Sequence, residues 1–127
     1  MPLSRRAVIG LGVGVAATAA LPQSASPNKK TIPSTGEQLT PIGIGTNRYG
    51  VDASSEAYTE LRATLARFHA LGGQVIDTAQ EYGRAEGNLG ELSHELGISN
   101  GLFFGTKIRT YGREAGIRSI EQSFERL

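Results

Sequence analysis

Three side chains of this chain, in the order Asp77, Tyr82, Lys107, are of the types that together can move a proton onto a polar double bond. A tyrosine alone, with a pKa near ~10, is a poor acid or base at neutral pH. A lysine cation beside it stabilises the phenolate and lowers that pKa, while a carboxylate keeps the lysine charged and in place. The tyrosine can then donate a proton to a carbonyl oxygen as hydride arrives at the carbon. Taken singly, each residue also has an ordinary structural reading. Asp77 reads as a loop or capping residue, Tyr82 before Gly83 as a half-buried turn tyrosine, and Lys107 as a solvated charge. Only the combination is specific.

The elements that must carry these residues repeat. Pro41 to Thr46 is a short apolar run ending in a polar loop, Asn47 to Ser54. A helix is predicted from about Ser55, with Ala57, Leu61, Leu65, Phe68 and Leu71 on one stripe and Gly72-Gly73 as its stop. Gln74 to Thr78 is the next strand, followed by a helix carrying Leu89, Leu92 and Leu96 that stops at Gly97. Leu102 to Lys107 is the third, followed by a helix carrying Ile117, Ile120, Phe124 and Leu127. Strand starts about 30 residues apart, with apolar runs that do not alternate, predict parallel β/α units with strands buried on both faces. Upstream, Ser34-Thr35-Gly36-Glu37 predicts the turn of a small hairpin. In such folds functional groups gather at the carboxyl ends of the strands. Those positions hold Thr46-Asn47-Arg48-Tyr49, Asp77 to Gly83, and Thr106-Lys107. The last helix reaches Leu127 on its apolar face with no glycine cap and no strand after it, so the sequence reads as truncated.

Composition removes several function classes. With no Cys in 127 residues there is no disulfide scaffold, thiolate-held metal or thiol nucleophile. No His/Asp cluster supports a metal site. A net charge of +1 gives no basic face for nucleic acid. Glycine, at 17 residues, is about twice its usual ~7% share, which predicts many turns and close backbone approaches.

Residues 1–26 read as an export signal and linker. Ser4-Arg5-Arg6 precedes an uncharged Ala/Gly/Val stretch, Ala7 to Leu21, with Ala17-Thr18-Ala19 or Ala25 as cleavage points. The paired arginines resemble a twin-arginine signal, although the bulky pair that follows is Val8-Ile9. At ~1.5 Å per residue the stretch spans roughly 22 Å, short of a ~30 Å hydrocarbon core, so no stable membrane span is expected. Discounting Arg5 and Arg6 leaves 11 of the 13 basic residues against 12 acidic ones, close to neutral. The Gly10 to Gly14 cluster lies in this leader with no strand before it, and is a weak nucleotide-loop signal.

From residue 31 onward the chain resembles the aldo-keto reductases. The resemblance is carried by Gly43-Ile44-Gly45-Thr46, Val75-Ile76-Asp77-Thr78-Ala79 with Tyr82-Gly83, Glu86 with Leu89-Gly90-Glu91, Thr106-Lys107, and Ser119 to Leu127. It implies an α/β fold, a (β/α)8 TIM barrel of which residues 31–127 hold the N-terminal hairpin and about three β/α units. It implies NADPH, or NADH, as cofactor and a small-molecule carbonyl substrate. It further implies Tyr82 as proton donor, Lys107 as its pKa-lowering partner and Asp77 as the carboxylate supporting Lys107. Thr46, Asn47 and Asp77 would lie beside the nicotinamide, and Arg48 and Tyr49 nearer the substrate mouth. The family's catalytic histidine ends the fourth strand, beyond Leu127. His69 and His94 fall inside predicted helices and neither can be that residue.

The leading expectation is therefore the amino-terminal part of a reductase exported to the periplasm through the twin-arginine machinery and inactive as a fragment. Two other readings stay open: a non-catalytic nicotinamide-sensing or scaffold protein of the same fold, and a self-contained exported α/β binding domain.

Overall fold

The computed structural model describes residues 27–127. The export leader read from residues 1–26 lies outside them. Strands β1 (Lys30–Thr31) and β2 (Gln38–Leu39) pair antiparallel around the anticipated turn. The N–H of Gly36 closes that turn on the Ile32 carbonyl at 2.9 Å.

Three β/α units follow. Strands β3 (Gly43–Gly45), β4 (Val75–Asp77) and β5 (Phe103–Gly105) form a parallel sheet in the order β3-β4-β5. They alternate with helices α1 (Glu56–Ala70), α2 (Ala85–Glu95) and α3 (Arg113–Arg126). The register sets Gly45 beside Asp77 and Asp77 beside Gly105, so all three strands end level. The loops that carry polar residues thus leave the sheet at one edge.

Local chemistry explains the helix ends. The Ser55 hydroxyl accepts the Tyr58 N–H at 3.2 Å and so caps α1, a contact worth ~1 kcal/mol. The stops read from glycine are present: Gly72 and Gly97 have φ of +85° and +66°, and their N–H groups bond to carbonyls of the last turns of α1 and α2. The core joins Leu65 of α1, Ile76 of β4, and Ala85, Leu89 and Leu92 of α2, with Tyr49 from the loop after β3.

Three packing expectations are corrected. Leu71 of the α1 stripe lies past the helix end and is 55% exposed. Among the strands only Ile76, on the central β4, is fully buried, because β3 and β5 each have one neighbour in this sheet. In α3 the apolar residues Ile117, Ile120 and Phe124 are exposed, Phe124 at 82%, while Ser119 and Ser123 are buried. On its inward side α3 meets polar side chains, Gln80 and Glu86, through the hydroxyls of Ser119 and Ser123.

Close approach of α2 and α3 requires Gly90, where a Cβ would collide with the Arg126 carbonyl. Alanine in place of glycine ordinarily stabilises a helix by ~0.5–1 kcal/mol. Here Gly90→Ala is expected to do the opposite and lower stability by ~1–3 kcal/mol through overpacking. Thermal unfolding of the full-length protein checks the sign; a Tm at or above wild type would contradict this helix contact.

Candidate active site

Asp77 is the last residue of β4, Tyr82 lies in the loop leading to α2, and Lys107 stands two residues beyond β5. The level strand ends bring them together. The Lys107 ammonium donates to both Asp77 carboxylate oxygens at 2.8 Å and to the Thr78 carbonyl at 2.9 Å. Its Nζ also lies 5.2 Å from the centre of the Tyr82 ring, within cation–π range. The hydrogen bond it donates to Asp77 holds the Lys107 pKa above its ordinary value; desolvation opposes this, and the charges of Asp77 and of a Tyr82 phenolate reinforce it. Lys107 is therefore a cation throughout the physiological range, held against the tyrosine.

The loop after β3 divides its four candidate residues. Thr46 is fully buried, and both its N–H and its hydroxyl donate to the Asp77 carbonyl, at 3.0 and 2.9 Å. Its side chain ties the loop to β4. Asn47 and Arg48 are exposed and line an open cleft of about 560 Å³ whose wall includes Tyr82. Tyr49, expected nearer the substrate mouth, is only 4% exposed and packs in the core, where burial pushes its phenol pKa up. The two tyrosines of neighbouring loops thus occupy opposite environments, and only Tyr82 has a cation beside it.

Three supporting residues were not singled out from sequence for a role. Asn88 of α2 is buried and its amide donates to the carbonyls of Tyr49 and Val51, pinning the loop after β3. Gln80 bonds Ser119 and Ser123 of α3. Glu86, 1% exposed, accepts from Thr106, Ser123 and Arg126. A Glu and an Asn in the first turns of a helix carry no sequence signal of burial, since such residues ordinarily face water. The nearest hint was that Glu86 fell within the motif around Tyr82.

His69 and His94 are on α1 and α2 as expected, each in the last turn of its helix. His69 lines a small cavity with Gln74 and Gly101, which precede β4 and β5, so it belongs to the opposite edge of the sheet from Tyr82. Among the described residues no group of three or more His, Cys, Asp or Glu side chains gathers around a metal position. No described helix is long and apolar enough to cross a membrane.

Comparison with known proteins bears on the family and the fold. The sequence profile of the Aldo/keto reductase family matches residues 41–127. No curated protein matches the chain. Among solved structures, an aldo-keto reductase from Pseudomonas aeruginosa is 30% identical with a TM-score of 0.64, covering 77% of this chain and 42% of its own. An aldo/keto reductase from Klebsiella pneumoniae in complex with NADP and acetate is 27% identical with a TM-score of 0.62, covering 72% and 32%. Another, complexed with NADPH, is 26% identical with a TM-score of 0.59, covering 79% and 32%. The chain spans less than half the length of these relatives. Its hairpin and three parallel β/α units correspond to the amino-terminal part of a (β/α)8 barrel.

The raised Lys107 pKa has a definite pH consequence. A lysine with a folded pKa above its unfolded value near ~10.4 contributes its stabilisation fully below that value and loses it as pH rises through the folded pKa. The Asp77–Lys107 contact is therefore expected to be intact at neutral pH and to release only in strong alkali. Titration of the Lys107 side-chain nitrogen by NMR should give a midpoint above that of an ordinary lysine, and Asp77→Asn should bring it down. An unchanged midpoint in that variant would contradict the assigned cause.

Proposed function

The chain belongs to the aldo/keto reductase family, and on that premise we propose that the whole protein reduces an aldehyde or ketone to an alcohol with NADPH. The observation that carries this reading is the contact of Lys107 with Asp77 on one side and the Tyr82 ring on the other.

The reduced nicotinamide, when bound, supplies the hydride. Everything else falls to the protein. The Tyr82 phenol donates its proton to the carbonyl oxygen, whose π electrons accept it while the carbon gains hydride. The phenolate left on Tyr82 is stabilised by the Lys107 cation. Asp77 keeps that cation charged and aimed. Asn47 and the exposed Asp77 carboxylate fit a polar cofactor edge at the strand ends, whereas the Thr46 hydroxyl is already spent on the Asp77 carbonyl and serves to hold the loop. Arg48, beside the cleft, is suited to the substrate side; buried Tyr49 supports the loop from beneath. The activity is assigned to a complete barrel, since the chain spans 42% or less of the relatives compared here.

The twin-arginine reading of residues 1–26 is proposed alongside it, on Arg5-Arg6 and the soft apolar stretch after them. A protein that folds around its nicotinamide before export carries the cofactor with it to the periplasm. A reporter fused behind residues 1–30 should be exported only while both arginines are present; export of the double Arg→Lys variant at the same level would refute that route.

The enzymatic reading is tested by loss of reduced-nicotinamide absorbance with the full-length protein and a panel of aldehydes and ketones. Tyr82→Phe should lower kcat by about 10²–10⁴ while nicotinamide binding, followed by fluorescence, is retained. Turnover of Tyr82→Phe at the wild-type rate, or no turnover of any carbonyl by wild type, would overturn it.

A further inference from the structure

We propose that Glu86 is a positioning residue for Lys107, acting through the hydroxyl of Thr106. This rests on the reductase reading for its catalytic meaning, but its geometry stands independently.

A carboxylate as buried as Glu86, at 1% exposure, is costly to keep unless every side of it is partnered. Its two oxygens are partnered by different parts of the chain. Oε1 accepts from the Thr106 hydroxyl at 2.7 Å and from the Ser123 hydroxyl at 2.8 Å, and Oε2 accepts from the Arg126 guanidinium at 3.0 Å. Ser123 and Arg126 belong to α3, so those contacts dock a helix. The Thr106 contact has a different consequence.

Thr106 is the single residue between the last residue of β5 and Lys107. From Lys107 to Gly112 every residue is exposed and none lies in a strand or helix. β5 is only three residues long and pairs with β4 in register up to Gly105, so its ladder stops before Thr106. Beyond Thr106 the loop is tied back by the Lys107 contacts themselves and by an Arg109–Glu81 ion pair at 2.6 Å, whose side chains are 78% and 50% exposed. An ion pair so exposed contributes little. The Thr106–Glu86 bond, made to a buried carboxylate, is the side-chain anchor immediately before the lysine, and α2 supplies the element to which it is fixed.

The same helix begins three residues after Tyr82, and the Ala85 N–H bonds the Tyr82 carbonyl at 3.2 Å. Glu86 thus references the lysine backbone to the element that also sets the tyrosine. A displacement near 1 Å between two such groups is enough to cost on the order of 10²-fold in rate.

The two halves of the Glu86 network can be separated experimentally. In the full-length protein, Thr106→Val removes the hydroxyl donor and leaves Ser123 and Arg126 on the carboxylate, whereas Thr106→Ser restores a donor. Arg126→Met removes only a helix-docking contact. The expected result for Thr106→Val is a kcat lower by about ten- to hundredfold with little change in KM or Tm. The Lys107 side-chain nitrogen resonance should move with it, and Thr106→Ser should recover both. Arg126→Met should lower Tm while kcat and the Lys107 resonance stay near wild type. Glu86→Ala combined with Thr106→Val should lose no more kcat than the larger single loss; if Glu86→Ala does not fold, the two Thr106 variants decide alone.

A Thr106→Val protein with wild-type kcat and an unmoved Lys107 resonance would overturn the proposal. So would Arg126→Met producing the same kcat loss and the same resonance shift, because the effect would then be general loosening. A wild-type protein without carbonyl reduction defeats the reductase reading, and the Lys107 resonance then decides the positioning role by itself.

Discussion

Asp77 joins two loops that are far apart in sequence. Its backbone carbonyl accepts both the N–H and the hydroxyl of Thr46, and its carboxylate accepts both contacts from Lys107. The loops after β3 and β5 are thereby referred to the end of the central strand. Parallel pairing makes this arrangement feasible, since it sets Gly45, Asp77 and Gly105 side by side and releases all three loops from one edge. A slip in register would move Asp77 away from Thr46 and Lys107 together.

The second constraint is polar rather than apolar. Between α2 and α3 the chain buries Glu86, Ser119 and Ser123 while leaving Ile117, Ile120 and Phe124 exposed. Polar groups buried in this way demand specific partners at specific angles, which an apolar contact does not. Gln80, Glu86 and Asn88 each reach out of the Tyr82 loop or the first turn of α2 to a different neighbour: α3, the Thr106 hydroxyl and the loop after β3. The region around Tyr82 is consequently tied to three separate parts of the described chain.

Two tyrosines make the electrostatic point. Tyr49 and Tyr82 both follow strands, yet burial alone acts on Tyr49 and drives its phenol away from ionisation. Tyr82 is half-buried, faces the cleft shared with Asn47 and Arg48, and has an ammonium over its ring. The difference lies not in the residue but in what surrounds it: core side chains around Tyr49, a cleft and a cation beside Tyr82.

Much of this was legible from residue order. Glycine placement marked the ends of α1 and α2, apolar spacing marked the three helices, and the strand-end positions of Asp77, Tyr82 and Lys107 followed from the β/α repeat. Those features are local, set by backbone preference and by the period of each element. The inward face of α3 was not legible, because apolar spacing reports which face would profit from burial, and burial is decided by what stands opposite. Nor were the sunken Tyr49 and the paired, buried Glu86, since a side chain's surroundings come from elements distant in sequence. The sequence by itself determined which groups could do the chemistry and where the strands would end; only the tertiary structure decided which of them meet, because hydrogen bonds between loops 30 residues apart exist only once the parallel register has brought those loops together.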